Sequence, residues 1–293
     1  MNKDKAVVFG GSGFLGSHVA DELTKKGYET IIFDSTKSKW CNENQKMIVG
    51  DILDTNHVFE VTDKAKVVYN FAAIADLNAA LSRPKDTAEI NILGNINILD
   101  SCVENKVSRF VYASSVYAIS REGGFYKCSK NASEMYTKEY KNTFDLDYTI
   151  LRYGSLYGQR TDETNGLHKI ISEAITSGEI RYKGNPESLR EYIHVLDASQ
   201  MSVEILNEEF SNKTYVLTGQ EPMKVSDVLH MIAEILGYPS SSVKFDSARY
   251  AGHYVRTPYA YDNSLSRKYI PPVHIDLGQG IIDLIDFLKK SKD

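Results

Sequence analysis

Six short apolar runs punctuate the first half of the chain: KAVVFG, ETIIFD, KMIVGD, KVVYNFAA, RFVYASS and DYTILRYG. They are rich in β-branched and aromatic residues and bounded by glycine, aspartate or serine, which predicts buried strands. Between them, HVADELTKKG, AEINILGNINILDSCVENK and YKCSKNASEMYTKEYKN repeat apolar residues with the 3.6-residue period of a helix. Strands apolar on both faces, alternating with amphipathic helices, imply a parallel sheet covered on each side. After Gly158 the rhythm changes. GLHKIISEAITSG and KVSDVLHMIAEILG read as helices, and short strands and proline-bearing turns (GNPES, GQEP, YIPP) surround them. This predicts a smaller α+β lobe closed by a last helix near Gln279 to Leu288, with domains at 1–158 and 159–293 and part of 190–218 returning to the first.

The first strand runs into AVVFGGSGFLGSHVADEL, with Gly10, Gly13 and Gly16 at the strand end and the helix start. A tight turn, a close backbone approach to a pyrophosphate and close helix–strand packing each require glycine there. The helix N-terminus offers unpaired N–H groups to phosphate oxygens. Asp34 ends the second strand, eighteen residues after Gly16, where a carboxylate bonds ribose hydroxyls and repels a 2′-phosphate. NAD is therefore favoured over NADP, and nearby Lys37 and Lys39 read as solvated loop residues. Tyr126, Lys130 and Glu134 recur every four residues on one helical face. That stripe is either a solvated ion-pair row, with Lys130 on Glu134, or a tyrosine held near ionisation by a lysine.

Composition narrows the choice. The 293 residues carry 34 basic and 39 acidic side chains, a net charge of −5, which disfavours nucleic-acid binding. Cys41, Cys102 and Cys128 have no metal-binding spacing, so no metal is expected, and their small number suits a reducing compartment. With no signal-like or membrane-length apolar run, the expected location is the cytoplasm.

These motifs occur together with others: GD at Gly50–Asp51, NFAA at Asn70–Ala73, NILGNINIL at Asn91–Leu99, SSVYA at Ser114–Ala118, LRYGSLYG at Leu151–Gly158 and REYIHVLD at Arg190–Asp197. The set resembles the extended short-chain dehydrogenase/reductase family, in its nucleotide-sugar epimerase/dehydratase branch, and is similar to UDP-galactose 4-epimerases. The resemblance implies a Rossmann-type doubly wound α/β domain that holds NAD, with a smaller substrate lobe. It assigns cofactor contacts to Gly10, Gly13, Phe14, Leu15, Gly16, Asp34, Asp51, Ile52, Phe71, Ala72, Ala73, Asn91 and Tyr153. Ser115, Tyr126 and Lys130 become the catalytic set, with Lys130 also on the nicotinamide ribose. A cation near the phenol lowers its pKa from near 10 toward usefulness as a base. Ser155, Arg190 and Arg256 become substrate contacts, the two arginines on the pyrophosphate of a nucleotide sugar. Glu134 remains a helix-face partner and His194 a packed core histidine. A homodimer through helices Ala88–Glu104 and Tyr126–Lys141, and a place in polysaccharide biosynthesis, are implied as well.

The chain departs from the family pattern in informative places. Ten residues separate Ser115 from Tyr126, about half the usual interval, and Phe9 stands where a threonine is usual. Ser155 replaces an asparagine that touches substrate. Val116 and Tyr117 replace the Asp-Glu pair of 4,6-dehydratases, which argues against water elimination. The expected chemistry is oxidation at C4 of a nucleotide sugar, by a 4-epimerase foremost. The alternatives are a 4-dehydrogenase that releases the ketone, a reductase of a free carbonyl and a non-catalytic dinucleotide-binding regulator.

Overall fold

The computed structural model describes residues 3–246, 253–258 and 267–291. Its strands are β1 Lys5–Phe9, β2 Glu29–Asp34, β3 Gln45–Val49, β4 Ala65–Asn70, β5 Arg109–Ser115, β6 Tyr148–Tyr153, β7 Ser155–Tyr157, β8 Ile180–Lys183, β9 Leu189–Arg190, β10 Tyr192–His194, β11 Lys213–Leu217, β12 Met223–Lys224, β13 Val243–Asp246 and β14 Arg267–Lys268. The helices are α1 Phe14–Lys25, α2 Thr55–Thr62, α3 Leu77–Ser82, α4 Pro84–Ala88, α5 Gly94–Glu104, α6 Gly124–Phe144, α7 Gly166–Ser177, α8 Val195–Glu204, α9 Val225–Ile235 and α10 Leu277–Lys290.

Eight strands form one parallel sheet in the order β14-β11-β6-β5-β4-β1-β2-β3. Strand order reverses between β1 and β4, so a crevice opens at their carboxyl ends, where doubly wound sheets bind ligands. Alternation along each strand feeds two cores. Val8, Tyr69, Val111 and Leu151 face α1 and α8, while Val7, Val68, Phe110 and Ile150 face α2, α5 and α6. Each fully buried valine or isoleucine contributes ~1.5–3 kcal/mol. A third core, with Leu167, Ile171, Val228, Ile232, Ile281 and Leu284, joins α7, α9 and α10. This is the α+β lobe.

The sheet takes two strands from beyond Gly158. β11 pairs with β6, and β14 extends the edge beyond it. The helix expected over Ala88–Glu104 is interrupted: α4 ends at Ala88, a π-helical turn spans Glu89–Leu93, and α5 starts at Gly94. A Cβ at Gly94 would lie 2.4 Å from Ile52 Cδ1, so the close approach of Ile52 requires glycine here. The last helix is longer than expected, by two residues at each end.

Candidate active site

The cofactor side is made mostly of backbone. Gly10 has φ +74°, and a Cβ there would stand 2.5 Å from Ala72 N; at Gly16 one would stand 2.3 Å from Gly10 O. These contacts leave no room for a side chain. At Gly13 the nearest neighbour to such a Cβ is Gly10 O at 3.3 Å, and α1 begins with no side-chain cap and no acidic residue in its first turn. The N–H groups of Phe14, Leu15 and Gly16 thus stand at an uncapped, positively polarised helix start. Asp34 is tethered over this turn: Oδ2 accepts from Ser12 N at 3.0 Å and Oδ1 from Thr36 N at 3.1 Å. Phe71 N bonds Phe9 O and Ala72 N bonds Asn70 Oδ1, which lays 71–73 along the crevice. This open cradle, with a carboxylate at the end of β2, fits a dinucleotide.

The catalytic candidates meet at the carboxyl end of β5. Tyr126 is buried in the first turn of α6 with the Ser115 side chain close by, and Ser115 Oγ accepts from Tyr117 N at 3.2 Å. Burial pushes the Tyr126 phenol up to about 12, with the nearby Ser115 side chain opposing. Lys130 is one turn on, its Nζ donating to Ala113 O at 2.7 Å and lying 5.8 Å from the Tyr126 ring centroid. Burial lowers Lys130 to about 7, and the charge of Glu134 opposes that fall. Without a bound cation beside it, the phenol is neutral at physiological pH. Proton exchange there needs a further positive charge, and the crevice is where one would bind.

Glu134 is not the helix-face partner that its spacing suggests. It is 2% exposed, and its Oε1 and Oε2 accept from Arg152 Nε at 2.9 Å and Nη2 at 2.6 Å, while Ser114 Oγ donates to Oε1 at 2.6 Å. A carboxylate this deep must be paired, and Arg152 on β6 is the fork that reaches it. The pair ties α6, β5 and β6 together directly behind Ser115 and Lys130.

On the substrate side, Ser155 Oγ lies 3.2 Å from Tyr254 OH, and the Arg190 guanidinium stacks 4.4 Å above the Tyr254 ring. Tyr254 also packs on Tyr117 at 5.0 Å, and Tyr117 meets Tyr126 edge-on at 6.2 Å. Leu189 N donates to Val255 O at 2.8 Å, which brings the segment of Arg256 beside Arg190. Arg256 is exposed and, among the described residues, makes no hydrogen bond or ion pair. Of the stretch HYVRTPYAY that carries Arg256, Tyr259 to Tyr261 lie outside the described residues.

Several expected contacts stand differently. The Asn91 amide is committed inside the fold: Oδ1 accepts from Ile74 N at 2.7 Å, and Nδ2 donates to Ile74 O and to Ser129 Oγ at 2.9 Å. Asn91 therefore fixes the 71–74 loop to α6 from behind. The Tyr153 hydroxyl is held by Ser202 Oγ at 2.6 Å in the core, and its ring packs on Phe71 with the centroids 6.4 Å apart. The Ile52 side chain is buried against Gly94, whereas Asp51 is exposed and its Oδ1 accepts from Leu53 N. His194 caps α8 through Leu196 N and is buried. Tyr117, His253, Tyr254 and the Glu134–Arg152 pair escaped the sequence reading. Aromatic residues in loops carry no periodic signal, and an i,i+18 ion pair is visible only once α6 lies on β6.

The fold and the cradle define a Rossmann-type dinucleotide-dependent oxidoreductase. Residues 6–218 match the model of the NAD dependent epimerase/dehydratase family, and the chain belongs to that family, with NAD as its cofactor. The chain is 28% identical, over 97% of its length and 98% of the relative, to a putative UDP-glucose 4-epimerase of Methanocaldococcus jannaschii. Its structure resembles that of a UDP-glucose 4-epimerase of Thermotoga maritima with UDP-glucose: TM-score 0.84, 24% identity, 99% of this chain and 100% of that one. It also resembles a Bacillus cereus UDP-glucuronic acid 4-epimerase in complex with UDP-glucuronic acid and NAD: TM-score 0.86, 20% identity, 98% and 99% coverage. No helix among the described residues is long and apolar enough to cross a membrane, and no acidic, histidine or cysteine cluster there could hold a metal ion.

Proposed function

We propose that the protein is a nucleotide-sugar 4-epimerase. The observation that carries this reading is the Ser115–Tyr126–Lys130 arrangement at the mouth of the dinucleotide crevice, with Arg190 across from it. NAD, when bound, supplies the acceptor and donor of hydride and the positive charge that favours the phenolate. Gly10, Gly13, Phe14, Leu15 and Gly16 would hold its pyrophosphate, Asp34 and Asp51 its adenosine end, and Phe71 to Ala73 the crevice wall. Tyr126 takes the proton of the sugar C4 hydroxyl, relayed through or steadied by Ser115, and returns it after the sugar has turned over. Lys130 stands one turn from the phenol and favours the phenolate in the fraction in which its amine is protonated. Arg190 and Arg256 bind the diphosphate, so binding energy far from C4 positions the reacting carbon. Val116 and Tyr117 offer no carboxyl for water elimination.

Exposed Met135 and Tyr136 on α6, with Leu93 ahead of α5, support a homodimer through these helices. The net charge and the nucleotide-sugar chemistry support a cytoplasmic setting in polysaccharide biosynthesis. The test is incubation with NAD and UDP-, GDP- or CDP-sugars, with the C4 configuration read by proton NMR. Inversion at C4 is the expected result. An unchanged C4 with every nucleotide sugar would overturn the reading, as would Arg190→Ala leaving UDP affinity intact where about a tenfold loss is expected.

A further inference from the structure

Tyr254, in the stretch that carries Arg256, is assigned no role by the sequence, yet it is the residue on which the substrate side converges. It is 6% exposed and buried with Val116 and Val216, at the seam between sheet and C-terminal lobe. Its ring carries the Arg190 guanidinium at 4.4 Å, its hydroxyl meets Ser155, and its other neighbour is Tyr117, which abuts Tyr126. The same segment bonds Tyr117 again, since His253 Nδ1 lies 2.9 Å from Tyr117 OH. The ten-residue link between Ser115 and Tyr126 is short. The flank of Tyr117 is covered by 253–255, arriving from well over a hundred residues away.

Resting on the nucleotide-sugar reading for the role of Arg190, we propose that Tyr254 is a positioning residue that holds Arg190 for the substrate's diphosphate and latches the C-terminal lobe onto the catalytic end of β5. The chemistry supports it. A free arginine side chain samples many rotamers, and fixing one on binding costs affinity. Arg190 Nη1 is already bonded to Leu189 O at 3.0 Å and its planar face is set on the tyrosine ring, so the guanidinium edge is preoriented for oxygen atoms. Tyr254 itself need not touch the ligand.

The test is calorimetric titration of the NAD-loaded protein with inorganic pyrophosphate and, separately, with UDP. Tyr254→Ala should weaken pyrophosphate binding about tenfold with NAD affinity unchanged, and Tyr254→Phe, which keeps the ring, should restore most of it. In an Arg190→Ala background, Tyr254→Ala should cost nothing further. Should the alanine variant fail to fold, Tyr254→Leu keeps the bulk, removes the π face and carries the same comparison. Unchanged pyrophosphate affinity in the alanine or leucine variant would overturn the proposal. So would a full additional loss in the Arg190→Ala background, or a phenylalanine variant as weak as alanine. A wild-type protein that binds pyrophosphate but gains nothing from the uridine of UDP counts against the nucleotide reading alone, because the cycle is read on pyrophosphate.

Discussion

On the proposed cofactor side of the crevice, the turn after β1 brings Gly10, Gly13 and Gly16 within a span of seven residues, and backbone N–H groups stand at an uncapped helix start. On the substrate side, Ser155, Arg190 and Tyr254 come from segments as much as 99 residues apart, and side chains form the surface. The first side is fixed by what glycine permits and is rigid wherever the chain folds. The second depends on where the C-terminal lobe settles. A cofactor that never changes can be held by backbone, whereas a sugar that must be chosen and turned over is met by exchangeable side chains.

The largest expected effect breaks the scaffold under the cofactor side. Glu134→Ala would remove the carboxylate from the Arg152 guanidinium in a core where both side chains are almost wholly buried, at a cost of ~3–5 kcal/mol. On the substrate side, Glu191→Ala removes the partner of Lys268 at 2.7 Å, but that ammonium is partly hydrated. The cost there should be lower, ~1–3 kcal/mol. Denaturant unfolding of the two variants measures both, and equal losses would erase the contrast.

Tyr126→Phe separates binding from chemistry. Turnover should fall at least ~10²-fold while NAD affinity stays as it was, because in the proposed reaction the phenol moves the proton and the glycine turn holds the cofactor. Wild-type turnover in this variant would remove Tyr126 from the reaction. A smaller effect tests the second strand: Asp34→Ala should weaken NAD binding about tenfold and erase its preference over NADP, since the carboxylate both accepts ribose hydrogen bonds and repels a 2′-phosphate. Dissociation constants for both dinucleotides decide this. NADP bound as tightly as NAD by the wild type would give the site to Lys37 or Lys39.

The same contrast explains what the sequence alone could reveal. The parallel sheet, the glycine turn, Asp34 and the Ser115–Tyr126–Lys130 set are local in sequence or fixed by strand and helix periods, so they could be read directly. Glu134 looked like a surface residue because helix period gives its face but not the depth of that face under the sheet. Asn91 and Tyr153 lie in the right elements, but their polar atoms are consumed by Ile74, Ser129 and Ser202, partners that only packing supplies. The π-helical turn at Glu89–Leu93 ends at Gly94, on which Ile52 packs, a contact across some forty residues that no local pattern records.

The smallest effect sharpens the electrostatics where the two sides meet. Lys130 sits at about 7 against its usual 10.5, because burial penalises the ammonium more than Glu134 supports it. Between those values the unfolded chain holds a proton that the folded protein has largely released, so stability rises with pH across that window. Tyr126 acts in the opposite sense at higher pH: raised from 10 to about 12, it keeps a proton in the folded state that the unfolded chain loses, so stability falls above pH 10. The cofactor-free protein should therefore gain melting temperature from about pH 7 to about pH 9.5, and Lys130→Met should flatten that rise. NAD brings positive charge and ordered neighbours to the same spot, so the holoprotein serves as a separate measurement and not as the control. If wild type and Lys130→Met show the same slope over this range, the lysine is charged throughout in the folded protein, and Glu134, reaching it across one helical turn, outweighs its burial.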